Sequence, residues 1–144
     1  MLDQPTIKRL LALEKLLENP ATIDFPAAGG KLQLDVRSVD GLEGFLIDVN
    51  RRGQIKITKC TYQERYNVIE ILLRLDIDGP PHENPDGAEV PCPHLHIYRE
   101  GFADKWAHPV PADFTNTLDL VLTLREFLQY CRIQNIPLIN RPLL

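Results

Sequence analysis

Two stretches of alternation, joined by a loop of proline and glycine, constrain this chain more than any other feature. In Ile69 to Ile77, residues Ile69, Ile71, Leu73, Leu75 and Ile77 point one way, and Glu70, Leu72, Arg74 and Asp76 point the other. In Pro93 to Arg99, Leu95 and Ile97 point one way, and His94, His96 and Tyr98 the other. Extended backbone sends successive side chains to opposite faces, so both stretches are predicted strands with their apolar sides on a core. As antiparallel neighbours they bring Arg74 and Asp76 onto one face with His94 and His96. The connection, Asp78 to Cys92, carries His82, Asn84 and Asp86 to the mouth of that face, and loops on a rigid scaffold commonly carry binding groups.

The rest of the chain reads as the frame for this pair. Ile7, Leu10, Leu11, Leu13 and Leu17 recur at helical spacing, with Asp3 and Pro5 as a start and Asn19-Pro20 as a stop. Strands are predicted at Lys31 to Arg37, Phe45 to Asn50 and Ile55 to Cys60, with turns at Asp40-Gly41 and Arg52-Gly53. Thr61 to Asn67 reads as a polar and aromatic connection, and Lys105 to Val110 as a sixth strand. A final helix of four or five turns carries Leu120, Val121, Leu124, Phe127, Leu128 and Cys131 on one stripe, capped by Thr115 or Thr117. The expected fold is α+β: a mostly antiparallel sheet of five or six strands with an N-terminal and a C-terminal helix, in one domain spanning 1–144.

Composition narrows the class of function. No apolar run approaches the roughly 18 residues of a membrane span, and the charged N-terminal stretch lacks a signal-peptide cleavage pattern. Cys60, Cys92 and Cys131 form no C-x-x-C pair, so reduced thiols and a cytoplasmic location are expected. A net charge of −4 argues against a broad non-specific nucleic-acid surface. A local basic stretch of Arg51, Arg52, Lys56, Lys59 and Arg65 leaves room for a groove.

The histidine face admits two chemistries beside a purely structural role for its rings. Alternate strand positions aim His94 and His96 the same way, and a zinc shell needs two further ligands, for which His82, Asp86 and His108 are candidates. Alternatively the two imidazoles act as acid and base in RNA cleavage without metal. Arg74, Arg99 or Lys105 then offset phosphate charge, while Tyr98 and Trp106 stack on bases. Arg65 is a further phosphate-binding candidate. Trp106 as a core residue, and Arg99 and Lys105 as solvated surface charges, are the plainer alternatives.

The run LRLDIDGPPHENPDG followed by PCPHLHIYREGFADKWA, with FLIDVNRRG and KCTYQ upstream, resembles a bacterial family of unknown function that shares these blocks. The resemblance covers Leu32 to Ile133. More remotely, the chain is similar to TumE-type toxins of toxin–antitoxin pairs, in which a stretch with Asp and His-Pro leads to a histidine-rich strand. The matching positions are Arg74, Asp76, His82, His94 and His96. Here the loop is longer, and His94-Leu95-His96 replaces a denser histidine cluster.

The resemblance implies a toxin-like ribonuclease, acting on RNA without a cofactor and neutralised by an antitoxin protein. In that reading His94, His96, Arg74, Asp76 and His82 form the catalytic set, and Arg99, Lys105, Tyr98 and Arg65 bind substrate. The alternative is a non-enzymatic module whose histidine face holds a metal, zinc among the candidates, or a partner protein.

Overall fold

The computed structural model describes residues 1–18, 21–51 and 58–142. Helix α1 (Gln4–Ala12) starts where Asp3 accepts a hydrogen bond from Thr6 N at 2.9 Å and Pro5 occupies the first turn. This is the ordinary way of satisfying a free N-terminal amide. The helix is shorter than its leucine spacing suggests. The chain turns extended at Leu13 and forms β1 (Lys15–Leu17), so Leu17 belongs to a strand. The predicted stop at Asn19-Pro20 lies outside the described residues, as do the turn at Arg52-Gly53, Lys56, and the first part of the strand predicted from Ile55 to Cys60, whose described residues 58–60 are not in a strand.

The strands that follow are β2 (Thr22–Asp24), β3 (Lys31–Ser38), β4 (Gly44–Asn50), β5 (Thr61–Tyr66), β6 (Glu70–Asp76), β7 (His82–Glu83), β8 (Glu89–Val90), β9 (His94–Ile97) and β10 (Ala107–Pro109). Helix α2 (Leu120–Tyr130) and β11 (Leu138–Asn140) complete the order. Among the described residues, seven strands form one antiparallel sheet in the order β1-β3-β4-β5-β6-β9-β10. Two small sheets flank it: β11 lies parallel to β2, and β7 pairs with β8 as a hairpin. The α+β class holds, with seven strands in the main sheet where five or six were expected.

Three expectations need correction. Thr61–Tyr66, read as a connection, is a central strand between β4 and β6. Helix α2 has 11 residues, three turns in place of four or five, and its cap is Asp119, which accepts from Leu122 N at 3.1 Å. Thr115 instead donates to the Glu126 carboxylate through both its amide and its hydroxyl. Finally, Leu72 is buried in the core together with Leu73. The β5–β6 register passes from Glu64↔Leu73 to Arg65↔Ile71, which leaves Leu72 without a partner on β5. Such a bulge breaks strict alternation.

The core fills one side of the sheet. Val49, Tyr62, Leu75 and Leu95 form one row across β4, β5, β6 and β9, with Ile47, Leu73 and Ile97 in the next. Helices pack on this side through Ile7, Leu10, Leu124, Phe127 and Leu128, all completely buried. The opposite face is polar: the row Asp48, Gln63, Arg74, His96 runs beside the row Asn50, Thr61, Asp76, His94.

Candidate metal centre

The β6–β9 ladder builds the site. Arg74 stands directly opposite His96 and Asp76 opposite His94, so four polar side chains share the face away from the core. Both imidazoles are nonetheless buried, His94 with 3% and His96 with 0% of its side chain exposed. Their cover comes from the β7–β8 hairpin and the Arg99–Trp106 segment. Asn84 clamps the hairpin to β10, donating to Ala107 O at 3.0 Å and accepting from Ala107 N at 2.8 Å. His82 donates through Nε2 to Lys105 O at 2.7 Å and sets its ring edge-on to His96, centroids 4.5 Å apart.

The hydrogen bonds orient both rings alike. His94 Nδ1 lies 3.1 Å from Val90 O, and His96 Nδ1 lies 2.8 Å from Asp104 O. Carbonyl oxygens only accept, so each Nδ1 carries a proton, and each Nε2 is left to face Asp76. The two Nε2 atoms converge on one oxygen: Asp76 Oδ2 is 3.1 Å from His94 Nε2 and 3.3 Å from His96 Nε2. One ligand atom from each of Asp76, His94 and His96 fits within 4.8 Å of the others.

Arg74 closes one side. Its guanidinium donates to His96 Nε2 at 3.0 Å, lies 3.3 Å from Asp76 Oδ1, and is anchored by Asp104 Oδ2 at 2.7 Å. Burial pushes the Asp76 carboxyl up, but hydrogen bonding to His96 and the Arg74 charge outweigh it and hold the group below its ordinary value. A cleft of about 370 Å³ opens beside these groups, lined by Arg74, Asp76 and His94 together with Lys59, Asp78 and Cys92. Burial, with Asp76 and Asp78 nearby, pushes the Cys92 thiol up, and Lys59 acts in the opposite direction.

The five residues expected to be catalytic therefore come together, while the expected substrate-binding set does not. Tyr98, placed by alternation beside the histidines, is in the core, with its hydroxyl accepting from Leu2 N at 3.1 Å. Arg65 lies along the polar face, held by both carboxylate oxygens of Asp48 at 2.6 and 3.0 Å and donating to Val68 O. Arg99 stacks on the half-buried Trp106 ring, its guanidinium carbon 4.2 Å from the centroid. The Lys105 side chain is exposed, and its backbone carbonyl is what meets His82.

Two candidate metal ligands also fall elsewhere. His108 pairs with Leu95 in the β9–β10 ladder and so takes the core-side face, and Asp86 is exposed in the hairpin turn, where it accepts from Ala88 N. Asp104 had no assigned role, yet it fixes both Arg74 and His96. Half of that contribution is a backbone carbonyl, which no side-chain pattern announces.

Fold and site together define an α+β protein whose antiparallel sheet covers a buried Asp–His–His cluster beside an open cleft. Residues 2–133 match the model of DUF6978, a family of unknown function, and the chain belongs to that family. No curated protein and no solved structure matches it. Among the described residues no helix is long and apolar enough to cross a membrane.

Proposed function

We propose that this protein is a divalent-metal-binding module whose ligands are Asp76, His94 and His96. The observation that carries the reading is the convergence of two imidazole Nε2 atoms on one carboxylate oxygen. With both Nδ1 atoms turned to backbone carbonyls, the two Nε2 atoms and Asp76 Oδ2 are placed to share one cation. Metal-ligating histidines typically donate their second ring nitrogen to a backbone carbonyl or carboxylate, which fixes tautomer and orientation. Val90 O and Asp104 O do this for both rings. Imidazole with carboxylate suits zinc and its first-row neighbours better than magnesium or calcium.

Acid/base cleavage of RNA asks more of the same residues. A ribose hydroxyl and a leaving oxygen must come within hydrogen-bond reach of two rings that the hairpin and the Arg99–Trp106 segment enclose. Tyr98 and Arg65 lie away from these rings, which leaves Arg74 and the cleft-lining Lys59 as the cations at the site among the described residues. The metal reading is the better supported of the two.

The test is metal stoichiometry by elemental analysis, with calorimetric titration of chelator-stripped protein. One zinc per chain is expected, with binding lost in Asp76→Asn, His94→Ala and His96→Ala that retain wild-type circular dichroism. Wild-type protein that takes up no divalent ion overturns the proposal, as do folded variants that bind as tightly as wild type.

A further inference from the structure

We infer that Cys92 is the fourth ligand of this site, so that the ion is held by one carboxylate, two imidazoles and one thiolate. The inference rests on the metal reading above and specifies it further. Tetrahedral zinc bonds nitrogen or oxygen at about 2.0–2.1 Å and sulfur at about 2.3 Å, which puts two nitrogen or oxygen ligands about 3.3 Å apart and a nitrogen and a sulfur about 3.5 Å apart. Asp76 Oδ2 already meets the first requirement, at 3.1 and 3.3 Å from the two Nε2 atoms. Cys92 Sγ lies 4.0 Å from His94 Nε2 and 3.6 Å from His94 Nδ1. It therefore sits beside the His94 ring, and ligation requires the thiol to reorient.

Three observations single out Cys92 for this position. It lines the same cleft as Asp76 and His94. Its thiol is held only weakly, with Pro80 O at 3.8 Å, so reorientation breaks no strong hydrogen bond. The other imidazole at the site, His82, has its Nε2 committed to Lys105 O. Cys92 also lies two residues before His94, separated from the strand bearing both histidines only by Pro93. A thiolate beside two imidazoles selects borderline-soft ions such as zinc and cobalt and discriminates against the hard cations that carboxylates alone would take.

Cobalt(II) reports both halves of the question in one spectrum. Chelator-stripped full-length protein, kept reduced, is titrated with Co²⁺. Wild type is expected to show visible d–d bands together with a near-ultraviolet sulfur-to-cobalt charge-transfer band. Cys92→Ser is expected to keep visible bands, bind more weakly, and lose the charge-transfer band entirely. Cys92→Ala repeats the loss without a hydroxyl that could substitute as a ligand. Cobalt bound by wild type without that band overturns the role of Cys92 and leaves the three-ligand site standing. A band that survives in both variants comes from another thiol and overturns it equally. Wild type that binds no cobalt overturns the metal reading itself, and this inference with it.

Discussion

Arg74 is the residue on which the proposed metal site turns. Its Nη2 donates to the same His96 nitrogen that a metal must use, so ion and guanidinium compete for one lone pair. Replacing Arg74 by Met is expected to tighten zinc binding by on the order of tenfold or more, about 1.4 kcal/mol per factor of ten. Arg74→Lys separates the causes, because it keeps the charge but loses the planar fork that reaches Asp104, Asp76 and His96 together. If both variants bind more tightly, occupation of the nitrogen is the cause; if only Met does, the cause is charge. Unchanged affinity in both would show that Arg74 does not compete. Competition titrations against a chromophoric chelator measure all three proteins.

A buried charge pair lies on the core side of the sheet, away from the histidine face. Lys15 and Glu64 are both fully buried, Nζ to Oε2 3.4 Å apart, with Lys15 also donating to Cys131 O. The Glu64 oxygens make no well-aligned hydrogen bond, and burial pushes this carboxyl up despite the opposing pull of Lys15. Its raised folded-state value makes the folded protein hold a proton that the unfolded chain releases. The Glu64 contribution to stability is therefore greatest at low pH and declines as pH rises through the ordinary glutamate value of 4.5 toward the raised one. Glu64→Gln should abolish that component of the pH slope. It should also cost about 3–5 kcal/mol near neutrality by stranding the ammonium. Lys15→Met with Glu64→Leu should recover most of the loss, and urea unfolding across a pH series measures both effects.

At the scale of elements, the same ion pair explains what sequence reading missed. β1 and β5 went unrecognised because each places a charged residue, Lys15 or Glu64, at a core-facing position, which erases the apolar alternation that marks a strand. β6 and β9 kept their alternation at the four facing positions, so the pairing of Arg74 and Asp76 with His96 and His94 was legible. The bulge at Leu72 was not, because nothing in Ile69 to Ile77 distinguishes a regular strand from one with an extra residue. Tyr98, whose amide bonds Leu72 O at that bulge, was misplaced with it.

The cover over the histidines also behaves as an element. Asn84 provides both hydrogen bonds that fasten the β7–β8 hairpin to Ala107. Asn84→Ala leaves a buried amide and carbonyl unpaired, at about 1–3 kcal/mol each. Hydrogen exchange should quicken at Ala107 and across the hairpin, while amides in β4 and β5 stay protected. Uniform acceleration throughout the sheet would instead mean that the hairpin unfolds only with the whole molecule.

For the whole molecule, the ladder that makes the site also decides what a metal does to stability. Asp76 belongs to β6, His94 and His96 to β9, and Cys92 to the segment that closes the cleft, so an ion at their centre ties together parts of the sheet that separate on unfolding. An ion that binds only the folded chain stabilises it by RT ln(1 + [L]/Kd), about 2.7 kcal/mol at a hundredfold excess over Kd. For a chain of this length that corresponds to a rise in Tm on the order of 5–10 °C. Scanning calorimetry of stripped protein with increasing zinc should show this rise, reversed by chelator and absent in His94→Ala and His96→Ala. Magnesium at the same concentrations should leave Tm unchanged, because the site offers it one carboxylate oxygen and two nitrogens in place of an oxygen cage. A zinc-induced rise that persists in both histidine variants would place the bound ion somewhere other than the β6–β9 face.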